Sequence, residues 1–356
     1  MTNRNICLNC VSPIIINKPT TIENQTYKLN NPLLIEEGGS LTLRNMTMLL
    51  GDGVPYITVN PGGALYVYNS TITPERPEYG GWSFPVMPDS TLAIQDSEIY
   101  GVGRWPSAGD WASIYILTPD VLIQNSLIAD SSGGVELRAE GGEIIGNSFL
   151  ECGSCLMVIN SFDVYVKENT IDKSLWEGMW VENVDGGSFM NNTVTHVSRV
   201  GIRFGSSNGV TFSGNVISNS LLDGWLVETC GWILFENNHL EGIQRRTWDI
   251  RDCWENVITG NTITDSYSAL ALRDTARDNM IYHNNFSPTS QQCTDEGIGN
   301  QWDNGTEGNY WTDYTGVDAD GDGIGDTPYY IVPNGVDHYP LMEPYGGASL
   351  LTQRRD

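Results

Sequence analysis

The sequence predicts an all-β solenoid, a parallel β-helix whose coils are about 22 to 24 residues long. Three observations predict it. Residues 178–292 divide into five blocks of 23, starting at 178, 201, 224, 247 and 270. Asparagine recurs in register at Asn125, Asn147, Asn169, Asn192, Asn215, Asn238, Asn261 and Asn284, in steps of 22 and then 23. Around each asparagine the apolar residues come in short period-2 bursts, such as Ile202/Phe204 and Trp225/Val227, separated by Gly, Asn, Ser and Asp, and no long 3.6-residue pattern competes.

Three short strands per block, with turn residues between them, describe one coil. Stacking coils at ~4.8 Å pairs each strand with its equivalents above and below. The asparagine column then has a physical role, because a buried amide both donates and accepts and can bond along the stack. A preference for turns explains one such position, not eight in register.

Taken in order, residues 11–72 already read as coils, with SLTLRNMTM and ALYVYNSTI matching and Asn45 and Asn69 placed 24 apart as turn residues. Between Asn69 and Asn125 lie 56 residues where two coils need about 46. The surplus falls in 74–85 and 100–112, Gly/Pro-rich loops with Tyr79, Trp82, Trp105 and Trp111, expected either to meet a ligand or to pack on the coil flank. From Gly134 the array is regular to about residue 284, with Met179/Val181, Ile202/Phe204, Trp225/Val227 and Trp248/Ile250 inward on the first strand. The same count would bury Arg273, so a one-residue slip is expected that buries Leu270 and Leu272 instead. The β-helix is assigned to 1–299 and a C-terminal capping segment to 300–345.

Alternation sends Trp180, Glu182, Arg203, Glu228, Asp249, Arg251 and, with a local slip, Asp274 outward from one parallel sheet. Glu228, Arg251 and Asp274 are expected as a vertical run of alternating charge. One reading is a solvated salt-bridge ladder; the other is a groove for sugar hydroxyls, with Trp180 for ring stacking. In the capping segment, Asp318, Asp320 and Asp322 alternate into a tight turn at Gly323, followed by Ile324 and Asp326. A hard Ca²⁺ ion takes six to eight oxygens, and this loop offers four carboxylates and the Ile324 carbonyl. Tyr329 stands where the bidentate Glu of an EF-hand loop would be, so Asp313 or Asp337 is expected to complete the set.

The chain carries 44 acidic against 18 basic residues, a net charge of -26. That balance argues against nucleic acid and anionic membrane as partners, and makes a polyanionic glycan dependent on a bridging cation. No apolar run of about 18 residues is present for a membrane span, and 1–10 lack the apolar core of a leader. Of seven cysteines, Cys230 and Cys253 lie one coil apart, a spacing compatible with a disulfide or with two stacked thiols. The pairs Cys7/Cys10 and Cys152/Cys155 are too far apart in the stack for a shared zinc site. Six Asn-x-Ser/Thr triplets occur, of which Asn24 and Asn304 are the expected glycan acceptors.

The Asn-x-apolar coils, the stretch GNYWTDYTGVDADGDGIGDTPYYI and the closing HYPLM together resemble the NosD-like, carbohydrate-binding and sugar-hydrolase (CASH) β-helix proteins found on archaeal cell surfaces. The resemblance covers nearly the whole chain and is most specific over 300–342. It implies a single-stranded right-handed parallel β-helix, export, and a sugar-related or surface role. The member that names the family assists copper-enzyme assembly in the periplasm, but His196, His239, His283 and His338 with no dense Met/His cluster give copper little support here. The favoured expectation is an extracellular or cell-surface scaffold that binds glycan, or copies of itself, along the outward sheet, with Ca²⁺ as stabiliser. The alternative is a polysaccharide-active enzyme, a glycoside hydrolase sooner than a lyase or epimerase, using a carboxylate pair drawn from Glu228, Asp249, Asp252 and Asp274.

Overall fold

The computed structural model describes residues 12–52, 56–76, 81–103 and 113–347. It is all-β, with no α-helix among those residues. The chain divides into two compact units, Met1–Glu136 and Leu137–Asp356. Each winds as a right-handed parallel β-helix with three strands per coil.

In the first unit, Ile14–Ile16, Leu33–Ile35, Ile57–Val59, Phe84–Val86 and Ile114–Ile116 form one sheet. Longer strands such as Ser40–Arg44, Ala64–Tyr68 and Thr91–Gln95 form the second. Their alternation decides what is buried: Leu41/Leu43, Leu65/Val67 and Leu92/Ile94 point in and are almost fully covered. At the following turn Asn45, Asn69, Asp96 and Asn125 adopt left-handed φ of 44 to 50°, a conformation that Asn and Asp tolerate best after Gly. The residue after the turn is buried and, in three coils, is serine. Ser70, Ser97 and Ser126 each accept, through Oγ, the backbone N–H of Met46, Ser70 and Ser97 at 3.1 to 3.2 Å. Asn125 therefore leaves the buried column assigned to it. It occupies the exposed turn position one residue earlier, because serine fills the interior slot in this unit. Trp82 is buried against Phe84 with its Nε1 donating to the Tyr100 carbonyl at 3.0 Å, so it packs on the coil. Tyr79, Trp105, Trp111, Cys7 and Cys10 lie outside the described residues.

The second unit carries the asparagine column. Asn147, Asn169, Asn192, Asn215, Asn238, Asn261 and Asn284 are buried, and the row ends on Asn309. Asn192 shows the pattern: its backbone N and its Nδ2 both donate to Asn215 Oδ1 at 3.0 Å, and Nδ2 also reaches the Val166 carbonyl at 3.0 Å. Each step thus satisfies groups that burial would otherwise strand. A second, shorter row links Asn256 to Asn279 at 2.8 Å and Asn279 to Asn300 at 2.9 Å.

The first sheet of this unit contains Glu177–Asp185, Val200–Gly205, Asp223–Glu228, Arg246–Arg251 and Leu270–Arg273. All eight residues expected inward from 179 to 250 are buried. The slip is present as well: Trp248 pairs with Leu270 and Ile250 with Leu272. Phe189, Phe212 and Phe235 stack at 4.9 and 5.6 Å, and Trp225 on Trp248 at 5.0 Å. Gly178, Gly201 and Gly224 form another column, where an added Cβ would stand 2.6 to 2.7 Å from a carbonyl oxygen of the next coil. Cys230 and Cys253 are buried free thiols, with Cys253 Sγ accepting the Cys230 N–H at 3.3 Å in the slot that Ser207 fills two coils earlier. The coil pattern continues past residue 299, since Tyr310–Trp311 pairs with Asn285 and Phe286 in the third sheet. A small antiparallel hairpin, Tyr329–Ile331 with Gly335–Asp337, follows.

Candidate functional site

Parallel register builds the outer face of the first sheet into two vertical columns. One reads Trp180, Arg203, Leu226, Asp249, Ala271; the other reads Glu182, Gly205, Glu228, Arg251, Arg273. Beside them runs a turn column of Ser206, Thr229, Asp252 and Asp274, all at left-handed φ of 50 to 58°. Together these surround an open cavity of about 310 Å³ lined by Glu182, Arg203, Glu228, Arg251, Asp252 and Asp274, with Gly205, Ser206 and Thr229 between them. Gly205 makes the room: a Cβ there would lie 2.9 Å from Glu182 Oε2.

Five of the seven outward residues expected from the sequence come together in this cavity, and two do not. Trp180 has Arg203 over one ring face at 5.3 Å and donates through Nε1 to Glu182 Oε2 at 3.3 Å. Its indole positions the two groove residues and is not among the cavity's lining. Asp249 is fully buried. Arg246 reaches its Oδ2 together with Arg251 Nη2 at 2.7 Å, and Arg273 Nε lies 3.1 Å from Oδ1 as an ion pair without hydrogen-bond alignment. Burial pushes the Asp249 carboxyl up, and hydrogen bonds from Arg251 and Arg246 more than reverse that, so it stays below the ordinary carboxylate value. A carboxylate enclosed in this way contacts no ligand, which removes Asp249 from the glycan face and from any catalytic pair.

The vertical run Glu228, Arg251, Asp274 also changes. The coil that starts near Ala269 is one residue short, and the slip persists to the end of the strand. Arg273 stands over Arg251, and Asp274 moves into the turn column beside Asp252. Within the groove Arg203 Nη2 pairs loosely with Glu228 Oε2 at 3.8 Å, and Ser206 Oγ donates to Glu182 Oε1 at 3.2 Å. Asp252 accepts Thr275 Oγ1 at 2.7 Å and the Thr275 N–H at 3.2 Å, and these bonds hold its carboxyl below the usual range. Ser206 and Thr229 escaped sequence reasoning, and Arg273, turned outward by the slip, was not counted among the site residues. The 22-residue step that moves Leu270 and Leu272 inward was the signal for Arg273.

In the acidic loop, one oxygen each from Asp318, Asp320 and Asp322 lies within 4.8 Å of the others. Asp318 accepts backbone N–H groups from Gly321, Asp322 and Gly323 at 2.6 to 3.2 Å, and the Gly323 bond leads in holding its carboxyl low. Gly321 and Gly323 sit at φ of 77 and 89°, which the tight turn requires. Asp322 accepts the Ile324 N–H and Asp326 the Ala319 N–H, both at 2.8 to 2.9 Å. The two residues expected to complete the set are engaged elsewhere. Asp313 accepts Tyr329 Oη at 3.0 Å, and Asp337 is buried, accepting Trp311 Nε1 and the Asn309 N–H at 2.8 Å.

A family model described as "Periplasmic copper-binding protein (NosD)" matches residues 113–316. The probable ABC transporter binding protein NosD of Pseudomonas aeruginosa is 34% identical over 116 residues, which is 32% of this chain and only 27% of that protein. Among solved structures, the periplasmic alginate epimerase AlgG superposes with a TM-score of 0.56 at 15% identity, covering 77% of each chain. The A-module of the mannuronan C-5 epimerase AlgE4 from Azotobacter vinelandii gives 0.49 at 14% identity over 79% of this chain and 90% of that one. At such identities the likeness to AlgG is one of fold.

Copper needs imidazole, thiolate or thioether donors grouped in space. Here each histidine pairs with its own carboxylate: His196 with Asp172, His239 with Glu241, His283 with Glu307 and His338 with Asp303. The one group of three potential ligands among the described residues is the all-oxygen Asp318 cluster. Buried thiols do lie together, Cys152 with Cys155 and Cys230 with Cys253, but no third His, Cys, Asp or Glu joins either pair among the described residues. The family match nonetheless spans more than half of the 356 residues, and the chain belongs to the NosD family.

Proposed function

We propose that this chain is a secreted or cell-surface β-helix protein that binds carbohydrate along the outer face of its first sheet. The observation that carries this reading is the groove itself. Glu182, Glu228, Asp252 and Asp274 supply acceptors, and Arg203 and Arg251 supply donors, from successive coils around one cavity. Such alternation at coil spacing suits a ligand dense in hydroxyls, each able to donate and accept. A non-cytoplasmic location accords with the periplasmic description of the family, and no helix among the described residues is long and apolar enough to cross a membrane.

The test is retention on a panel of neutral and acidic polysaccharides, assayed in parallel for new reducing ends and unsaturated uronate. Retention without cleavage, weakened by Glu228→Gln or Arg203→Gln, is the expected result. The four groove carboxylates favour a second reading, a glycoside hydrolase whose two carboxyls stand about 5 to 10 Å apart. Release of reducing ends, lost in Asp274→Asn or Glu228→Gln, would replace binding with hydrolysis; uronate absorbance would point to a lyase.

The acidic loop is proposed to hold Ca²⁺ through Asp318, Asp320, Asp322, Asp326 and the Ile324 carbonyl, with water completing the shell. Calcium is then expected to raise the melting temperature and protect 300–345 from protease, and chelation to reverse both. Indifference to chelator removes the metal from the reading.

A further inference from the structure

The turns that lead from the third sheet back to the first stack directly on one another. Leu221 N–H donates to the Val197 carbonyl at 2.9 Å, Leu222 N–H to Arg199 at 3.2 Å and Arg245 N–H to Leu222 at 3.1 Å. Five such turns, 175–176, 198–199, 221–222, 244–245 and 267–268, read Leu-Trp, Ser-Arg, Leu-Leu, Gln-Arg and Tyr-Ser. Apolar and basic coils therefore alternate with a two-coil period. The apolar members are exposed, with Leu221 at 50%, Trp176 at 36% and Tyr267 at 51%.

The ten positions hold two arginines and no acid, in a chain with 44 acids. Arg199 is held by Glu177 at 3.4 Å and Arg245 by Asp223 at 3.9 Å. The two carboxylates are only 10% and 8% exposed, while the arginines are 56% and 51% exposed. Each guanidinium is thus anchored from below by a buried acid and keeps half its surface for solvent.

We infer that this ridge is a second glycan track, suited to an extended β-linked polysaccharide that bears a carboxylate on every second sugar. Successive coils are ~4.8 Å apart, about the advance of one sugar in such a chain, so two coils match one disaccharide. Carboxylates then meet Arg199 and Arg245 in forked pairs, and the uncharged sugars between them lay their ring faces on Leu221/Leu222, Trp176 and Tyr267. A polymer charged on every sugar would place alternate carboxylates on the leucines, where desolvation is unrewarded. The ridge does not depend on the groove, and an inactive groove leaves the inference standing.

The experiment titrates the full chain at low salt with hyaluronan, which is charged on alternate sugars, with polygalacturonate, charged on all, and with a neutral β-glucan. Hyaluronan is expected to bind at least tenfold more tightly than either. Its affinity should fall tenfold or more in R199Q/R245Q and in L221S/L222S, fall with added salt, and persist in R44Q/R76Q, the same charge change in the other unit. Equal affinity of R199Q/R245Q and parent overturns the inference, as does preference for polygalacturonate. It also fails if hyaluronan does not bind and L221S/L222S instead abolishes a concentration-dependent dimer, because the ridge is then an interface between copies.

Discussion

Asp249 shows what a carboxylate with no solvent requires. It is ionised because Arg246, Arg251 and Arg273 surround it, and each of those would lose its anchor without it. Asp249→Ala is expected to destabilise the chain by roughly 1 to 3 kcal/mol in denaturant titrations, since it leaves three half-buried guanidiniums without the carboxylate they share. Because this carboxyl is held below its unfolded value of 3.8, its contribution is present above that pH and drains away as pH falls through the lower folded value. Asp337 has the opposite sign. Burial outweighs its donors Trp311, Asn309 and Tyr339 and pushes its carboxyl up to about 6. It keeps its proton in the fold where the unfolded chain has lost it, so its contribution to stability declines between about pH 4 and pH 6 and is level above. Protection of 300–345 from protease should therefore be weaker at pH 7 than at pH 5, and Asp337→Asn should flatten that difference. Asn215→Ala leaves the Asn192 backbone N–H without its acceptor, takes one of the two acceptors of Asn192 Nδ2, and removes the amide that donates to the Phe189 carbonyl, all in a dry interior. A loss of ~2 to 5 kcal/mol is expected from two or three such groups.

At the scale of the coil, the glycine column sets how closely turns approach. Gly224→Ala would set a methyl 2.6 Å from the Thr247 carbonyl and 3.1 Å from Ile243 Cγ1. Backbone cannot yield as a side chain can, and a cost of roughly 1 to 3 kcal/mol is expected, read as a lowered melting temperature. These glycines open three of the five 23-residue blocks, yet their role was invisible until coordinates showed which carbonyl lies opposite. The strand register was legible because period 2 and period 23 together leave one arrangement that turns Met179/Val181, Ile202/Phe204, Trp225/Val227 and Trp248/Ile250 inward. The asparagine row was legible for the same reason. Its counterpart in the first unit was not: serine is common in every turn, so Ser70, Ser97 and Ser126 gave no signal, and Asn125 beside them gave a misleading one. In the groove, Glu182, Arg203, Glu228 and Arg251 were legible from alternation alone, whereas Asp274 reaches it from the turn and not from the strand column expected of it. The withdrawal of Asp249 was not legible, since it depends on long side chains arriving from Arg246 and Arg273.

At the scale of the molecule, the net charge of -26 repels itself, and the groove and the ridge each set arginines on alternate coils, Arg203 and Arg251 in one and Arg199 and Arg245 in the other. Self-repulsion is screened over ~10 Å at 0.1 M salt, so the melting temperature should rise as sodium chloride goes from about 0.01 to 0.2 M. Glycan contact through Arg199 and Arg245 should weaken over the same range. The buried asparagines add a sense of direction. Every member from Asn147 to Asn284 donates its N–H groups to its successor, and Asn309, the last acceptor, donates its own backbone N–H to the Asp337 carboxyl at 2.8 Å. A carboxyl receives without relaying to another turn, so the queue has a terminator, and a further coil or a second molecule arriving there would find no amide waiting to be continued.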